Sequence, residues 1–239
     1  RIVREQIQKL QAPALDLPAR SYTEVKQSFG FTLTGAQQRV ADEVAVDLMK
    51  SQPSLRLIQG DVGSGKTVIA ALASVHSFEN NLQTALMAPT ELLAEQHFIN
   101  MSNWLAPLGI KTAWLSGRVT GKKRDEELAR ILTGDAAVII GTHALFQKDV
   151  RFRNLGLVIV DEQHRFGVHQ RLALRAKGSA GNTSPHQLVM TATPIPRTLS
   201  MSIYADMDVS VIDELPPGRT PVTTTVMSDE KRDSVISRV

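Results

Sequence analysis

Gly60, Gly65, Lys66 and Thr67 stand in the order and spacing G-x-x-x-x-G-K-[ST], within the stretch LRLIQGDVGSGKTVIA at residues 55–70. Each residue type has a task there if the partner is a phosphate. Gly60, Gly63 and Gly65 permit positive φ and put no Cβ in the way, so the N–H groups from Gly60 through Asp61, Val62, Gly63, Ser64 and Gly65 can close around an anion. A helix opening near Lys66 adds the N–H groups of its first turn. Lys66 brings an ammonium for the β and γ phosphates, and the Thr67 hydroxyl is small enough to ligate a magnesium ion that keeps several waters. The chemistry indicated is binding of ATP with Mg2+. A glycine-rich turn that binds nothing carries the same letters, but the apolar run before it and the helical spacing after it favour the phosphate loop.

Hydrolysis also needs carboxylates. Asp161 and Glu162 end the β-branched run at residues 155–160. Asp161 suits holding the magnesium, directly or through water, and Glu162 suits orienting and deprotonating the attacking water. An Asp-Glu pair after a strand is by itself an ordinary loop start; downstream of a phosphate loop it reads as catalytic. His164 lies two residues past the glutamate, and Thr191 and Thr193 end another apolar run. As a set these three are candidates for coupling hydrolysis to movement, although a lone histidine or a threonine pair before a proline is routine. Upstream, the Gln37 amide offers the donor and acceptor that reading an adenine edge requires, and Phe31 offers a stacking face. A first-turn glutamine is more often solvated surface, and only its place ahead of the phosphate loop raises it.

These residues need a scaffold that gathers distant segments at one edge. Apolar runs at residues 55–60, 83–88, 111–115, 136–140, 155–160 and 187–190 read as strands, and they alternate with helical spacing at 34–48, 68–78, 90–97 and 122–132. Thr34 and Thr90 stand as N-caps, and Val40, Val44 and Leu48 form an apolar face. The alternation predicts an α/β fold with a mainly parallel sheet and helices on both faces. Ligands in such sheets sit at the strand carboxyl ends, where every polar cluster named here falls.

A hydrophobic fraction of 42% over 239 residues is enough for a sizeable core. No stretch approaches the roughly 20 apolar residues of a membrane span, so a cytoplasmic protein with no membrane partner is expected. Cysteine is absent, which excludes disulfides and cysteine-based zinc sites. A net charge of +3 permits a nucleic-acid groove without requiring one. Pro13 and Pro18 interrupt a charged beginning, so residues 1–28 read as an arm from a missing N-terminal region. Residues 177–185 read as a mobile surface loop and 212–220 as a turn-rich linker. Residues 221–226 have strand composition and Ser228 can cap a helix, so 213–239 reads as a linker and the start of a second unit.

The order of these motifs resembles the first RecA-like motor lobe of a superfamily 2 helicase. More narrowly, residues 161–170 (DEQHRFGVHQ), 190–198 (MTATPIPRT) and 212–220 (IDELPPGRT) are similar to the RecG family, bacterial ATP-dependent helicases that remodel stalled replication forks and branched DNA in recombination and repair. The transcription-repair coupling translocases share the RFGV and PIPRT elements, but have glutamate where Gln163 stands and lack the DELPPGRT run. The resemblance implies that residues 29–212 are an ATP-binding lobe of a DNA translocase. It further implies a wedge domain before it and a second RecA-like lobe after it, which supplies an arginine to the γ-phosphate. The isolated chain is then expected to be nearly inactive. It also implies a DNA track over three strand ends: Pro89, Thr90 and Glu91; Ser116, Gly117 and Arg118; Gly141, Thr142 and His143. Another superfamily 2 motor, or a nucleotide-gated DNA-binding module without turnover, are the readings left open.

Overall fold

The structure is a computed structural model that describes residues 10–17, 19–162, 183–193 and 207–215, together with Met227 and Ile236. A seven-stranded sheet runs through the described part in the order β3-β4-β2-β5-β6-β1-β7. The strands are β1 (Leu55–Gly60), β2 (Gln83–Met87), β3 (Thr112–Leu115), β4 (Val138–Gly141), β5 (Leu155–Asp161), β6 (His186–Thr191) and β7 (Asp208–Ile212). Every pairing is parallel. α1 (Ala19–Ser28) and α2 (Gly35–Leu48) precede β1; parallel strands require crossovers, and α3 (Lys66–Glu79), α4 (Glu91–Leu105) and α5 (Gly121–Thr133) supply those from β1 to β2, β2 to β3 and β3 to β4. No helix among the described residues is long and apolar enough to cross a membrane.

The central strands β2, β4 and β5 are buried on both faces. Along β5, Leu157 and Ile159 join a core that includes Val40 and Val44 of α2, Ile69 and Leu72 of α3 and Met101 of α4. Val158 and Val160 join a second core with Ala113, Leu115, Ile139 and Ile131 of α5. Successive strand residues point to opposite faces, so a strand with helices on both sides must be continuously apolar, as Leu155 to Val160 are ahead of the terminal Asp161.

The helix starts follow from their caps. Thr34 accepts from the Gln37 N–H and the Gln37 side chain accepts from the Thr34 N–H, a capping box that opens α2. Thr90 accepts from the Leu93 N–H and opens α4.

Two elements go beyond the sequence expectation. Among the described residues, β7 is an unforeseen edge strand that pairs with β1 alone. Residues 10–28, read as a connecting arm, pack onto the sheet's helices. Val25 and Phe29 enter the larger core, Leu15 N donates to Leu48 O and Ala12 N to Ser51 O. Buried His76 and His186 hold this segment by its carbonyls, His76 Nε2 donating to Leu15 O at 3.1 Å and His186 Nε2 to Pro13 O at 2.9 Å. Thr183 at the end of the expected loop bridges to Gln11; residues 177–182, 216–226 and Ser228 lie outside the described residues.

Candidate active site

β1 ends at Gly60 and α3 begins at Lys66, so the loop turns in the space of five residues at the carboxyl edge of the sheet. Gly63 and Gly65 take φ of 80° and 93°, a left-handed conformation that a side chain would strain. Gly60 does not have positive φ, contrary to expectation. It is required by close approach: a Cβ there would lie 2.5 Å from Ser64 Oγ and 3.1 Å from Ile212 Cβ. Asp61, Val62 and Gly63 are exposed at the tip, whereas Ser64 is fully buried.

Lys66 folds its ammonium over the loop, Nζ donating to Gly60 O at 2.6 Å and Asp61 O at 3.0 Å. Burial pushes its pKa below the ordinary lysine value, and Asp161, Glu162 and Asp61 pull it back up. The cation therefore faces three carboxylates from two loops. A phosphate offered to it exchanges neutral carbonyl acceptors for ionic ones, which make the stronger hydrogen bond.

Gln37 reaches the loop in a manner the sequence did not suggest. Its amide is buried, Oε1 accepting from Thr34 N at 2.9 Å and Nε2 donating to Ser64 O at 2.8 Å. The side chain thus ties the start of α2 to the phosphate loop, and an adenine edge would have to compete for both ends of it. Phe31 is half exposed and stacks on Phe29 with centroids 5.6 Å apart, on the wall of a recess shared with Lys26, Thr34, Gly35 and Gln38. α2 is also held by the residues that follow β7: Glu214 accepts from Ala36 N at 3.0 Å and Asp213 accepts from Arg39 at 2.9 Å. A carboxylate at a helix N-terminus is favoured by the unpaired N–H groups there.

β5 delivers Asp161 and Glu162 beside the loop. Glu162 has φ of 50°, rare for a residue with a side chain. Its N–H donates to Met190 O at 2.8 Å, its Oε1 accepts from Ala192 N at 2.9 Å and its Oε2 accepts from Thr191 Oγ1 at 3.3 Å. Thr193 N in turn donates to Thr191 Oγ1 at 3.2 Å. Of the coupling candidates, Thr191 meets the glutamate and Thr193 reaches it only through Thr191; His164 lies outside the described residues.

Sequence reasoning named no role for His97, which the structure places inside the site. It projects from α4 and is nearly buried, with Nε2 donating to Asp161 Oδ2 at 2.7 Å and Nδ1 facing Thr67 Oγ1 at 3.5 Å. A hydroxyl and a carboxylate that share one imidazole occupy one small volume. That all-oxygen pair fits magnesium, a hard cation that takes one or two protein oxygens together with phosphate and water. The signal available was only a polar residue on the face of α4 that carries buried Ala94 and Met101.

The three strand-end segments of the expected DNA track do lie side by side, since β3, β4 and β2 are neighbours. Thr90, Gly117, Arg118 and His143 are exposed, and Pro89 and Glu91 are half-buried. Ser116 and Thr142 are not surface hydroxyls: they are 1% and 2% exposed, and Ser116 Oγ accepts from Arg118 N. Gly141 leaves no room for a Cβ, which would come within 1.9 Å of Leu115 O. Arg118 Nε pairs with Glu91 at 2.5 Å, joining two of the segments.

A parallel sheet with a phosphate loop after β1, an Asp-Glu pair after β5 and a threonine pair after β6 has the layout of a RecA-like lobe. Residues 34–202 match the DEAD/DEAH box helicase family, and the chain belongs to it. It is 57% identical over 227 residues to the ATP-dependent DNA helicase RecG of Haemophilus influenzae, covering 93% of this chain and 33% of that protein. It is 59% identical over 209 residues to the RecG of Escherichia coli K12, covering 87% and 30%. A solved structure of RecG bound to a three-way DNA junction superposes with a TM-score of 0.86 at 38% identity, covering 99% of this chain and 31% of that one. The chain thus spans about a third of the length of these relatives.

Proposed function

We propose that this chain is the first motor lobe of an ATP-dependent helicase that remodels branched DNA and stalled forks, acting in the cytoplasm. The observation that supports this most is the Glu162 carboxylate, held by Ala192 and Thr191 at the edge that also carries Lys66. In this reading Gly60 to Thr67 bind the phosphates, Gln37 and Phe31 meet the base, and Glu162 takes the proton of the attacking water. Thr67 and Asp161 would hold magnesium, which when bound supplies charge neutralisation to the phosphates. Thr191 and Thr193 pass the state of Glu162 to β6, and His164 is assigned to the same coupling role. Residues 1–28 are a connecting arm from a preceding region that carries the wedge domain, 29–212 form the lobe, and 213–239 are a linker and the start of a second RecA-like lobe. That second lobe contributes the arginine that in related enzymes is worth roughly 10³ to 10⁵ in rate. DNA crosses the ends of β2, β3 and β4, with contacts to phosphate oxygens that position it without reading sequence.

The test is strand displacement by the full-length protein on a three-way junction with one labelled arm. ATP-dependent release of that strand, lost with Lys66→Ala, is the expected outcome. Tight junction binding with no displacement at any ATP concentration would leave only a nucleotide-gated binding module.

A further inference from the structure

His97 belongs to no part of the function described so far, yet it is the side chain that joins the phosphate loop to the Asp-Glu pair. It sits on α4, a different element from either, and is buried with a polar group at each ring nitrogen. The partners fix the tautomer. Asp161 is an acceptor, so Nε2 carries a hydrogen; on the neutral ring Nδ1 is then an acceptor, and the Thr67 hydroxyl is the donor. The consequence concerns lone pairs. A hydroxyl ligates a cation through oxygen only if its proton points away, and a carboxylate presents one oxygen best when the other is tied. With the Thr67 proton on Nδ1 and Asp161 Oδ2 on Nε2–H, the Thr67 lone pairs and Asp161 Oδ1 are left for a ligand. The 3.5 Å separation at Thr67 is long, of the kind that tightens when a site is loaded.

We propose that His97 is a positioning residue that presets Thr67 and Asp161 for magnesium. This rests on the reading of those two residues as the magnesium ligands. Groups that orient ligands from behind in this way typically control metal affinity by 10- to 100-fold.

The experiment uses the full-length protein with a fluorescent ATP analogue, titrated with MgCl2 and, separately, in EDTA. His97→Leu fills the space without a polar atom, and His97→Asn is polar but too short to span both partners. Both are expected to raise the magnesium concentration for half-maximal nucleotide binding by roughly 10- to 100-fold. Affinity in EDTA should stay within about 3-fold of the parent, the ordinary spread of a measured contribution. His97→Gln, with an amide long enough to donate to Asp161 and accept from Thr67, should stay close to the parent in magnesium as well. Parental magnesium dependence in the Leu and Asn variants, or an equal loss of affinity in EDTA, overturns the proposal. So does failure of all three variants to fold, which would assign His97 to the core alone. A parent whose nucleotide affinity ignores magnesium overturns the magnesium site itself, an outcome distinct from the others.

Discussion

The N–H of Ala192 donates to Glu162 Oε1 at 2.9 Å, so the end of β6 holds the carboxylate that follows β5. Neighbouring parallel strands bring these groups together from positions thirty residues apart. A carboxylate fixed by a backbone donor and the Thr191 hydroxyl keeps its orientation without help from substrate, which is what a general base requires.

Glu162→Gln is therefore expected to separate binding from turnover. The amide oxygen still accepts from Ala192, so the loop keeps its shape, but the amide cannot take a proton. ATP affinity should stay near the parent while the hydrolysis rate falls by roughly 10² to 10⁴. A variant within a few-fold of the parental rate rules Glu162 out as the base.

Lys66→Ala removes a charge-assisted contact to phosphate from a partly buried site. The expected loss in ATP affinity is about 2 kcal/mol, or roughly 30-fold. Calorimetry of Mg-ATP binding measures it, and unchanged affinity contradicts the role given to the ammonium.

The Arg118–Glu91 pair makes an asymmetric prediction for DNA. Arg118→Ala should weaken binding equally for all sequences and reduce the log-log salt slope by roughly one. Glu91→Gln should strengthen binding, because it removes a carboxylate that occupies the guanidinium. Anisotropy on a forked duplex reads both, and a salt slope unchanged in Arg118→Ala removes that residue from the track.

His76 and His186 predict a loss of stability in mild acid. Burial lowers both below the ordinary histidine value, while the unfolded chain titrates near 6.5. The unfolded state then binds more protons, so stability is full above about pH 6.5 and falls as pH drops below it, by up to about 1.4 kcal/mol per unit for each histidine. Besides burial, a protonated His186 Nδ1 would face the Ser54 N–H, a donor against a donor. Urea unfolding between pH 7.5 and 5.5 checks the slope, which His186→Gln should reduce. Flat stability over that range contradicts it.

The sheet was legible because a strand covered on both faces has to be continuously apolar, as Leu155 to Val160 and Gln83 to Met87 nearly are. β7 was not, since an edge strand alternates: Val209 and Val211 are exposed and Ser210 and Ile212 buried. α1 was hidden for a related reason, with Val25 deeply buried in a segment otherwise polar. Within the site, motif spacing found Lys66, Thr67, Asp161 and Glu162, because each loop follows directly from a strand. His97 was invisible, because nothing local in α4 records that its ring meets Thr67 and Asp161 from other elements. Gln37 was read from sequence as an adenine contact, whereas its bond to Ser64 O is a tertiary contact that sequence does not carry.

Steady-state ATP hydrolysis by the full-length protein, with and without a three-way DNA junction, tests the central claim most directly. The motor-lobe account predicts slow hydrolysis alone, a steep rise when the junction is added, and loss of that rise in Glu162→Gln. Hydrolysis that ignores the junction, or that survives Glu162→Gln at the parental rate, would contradict it.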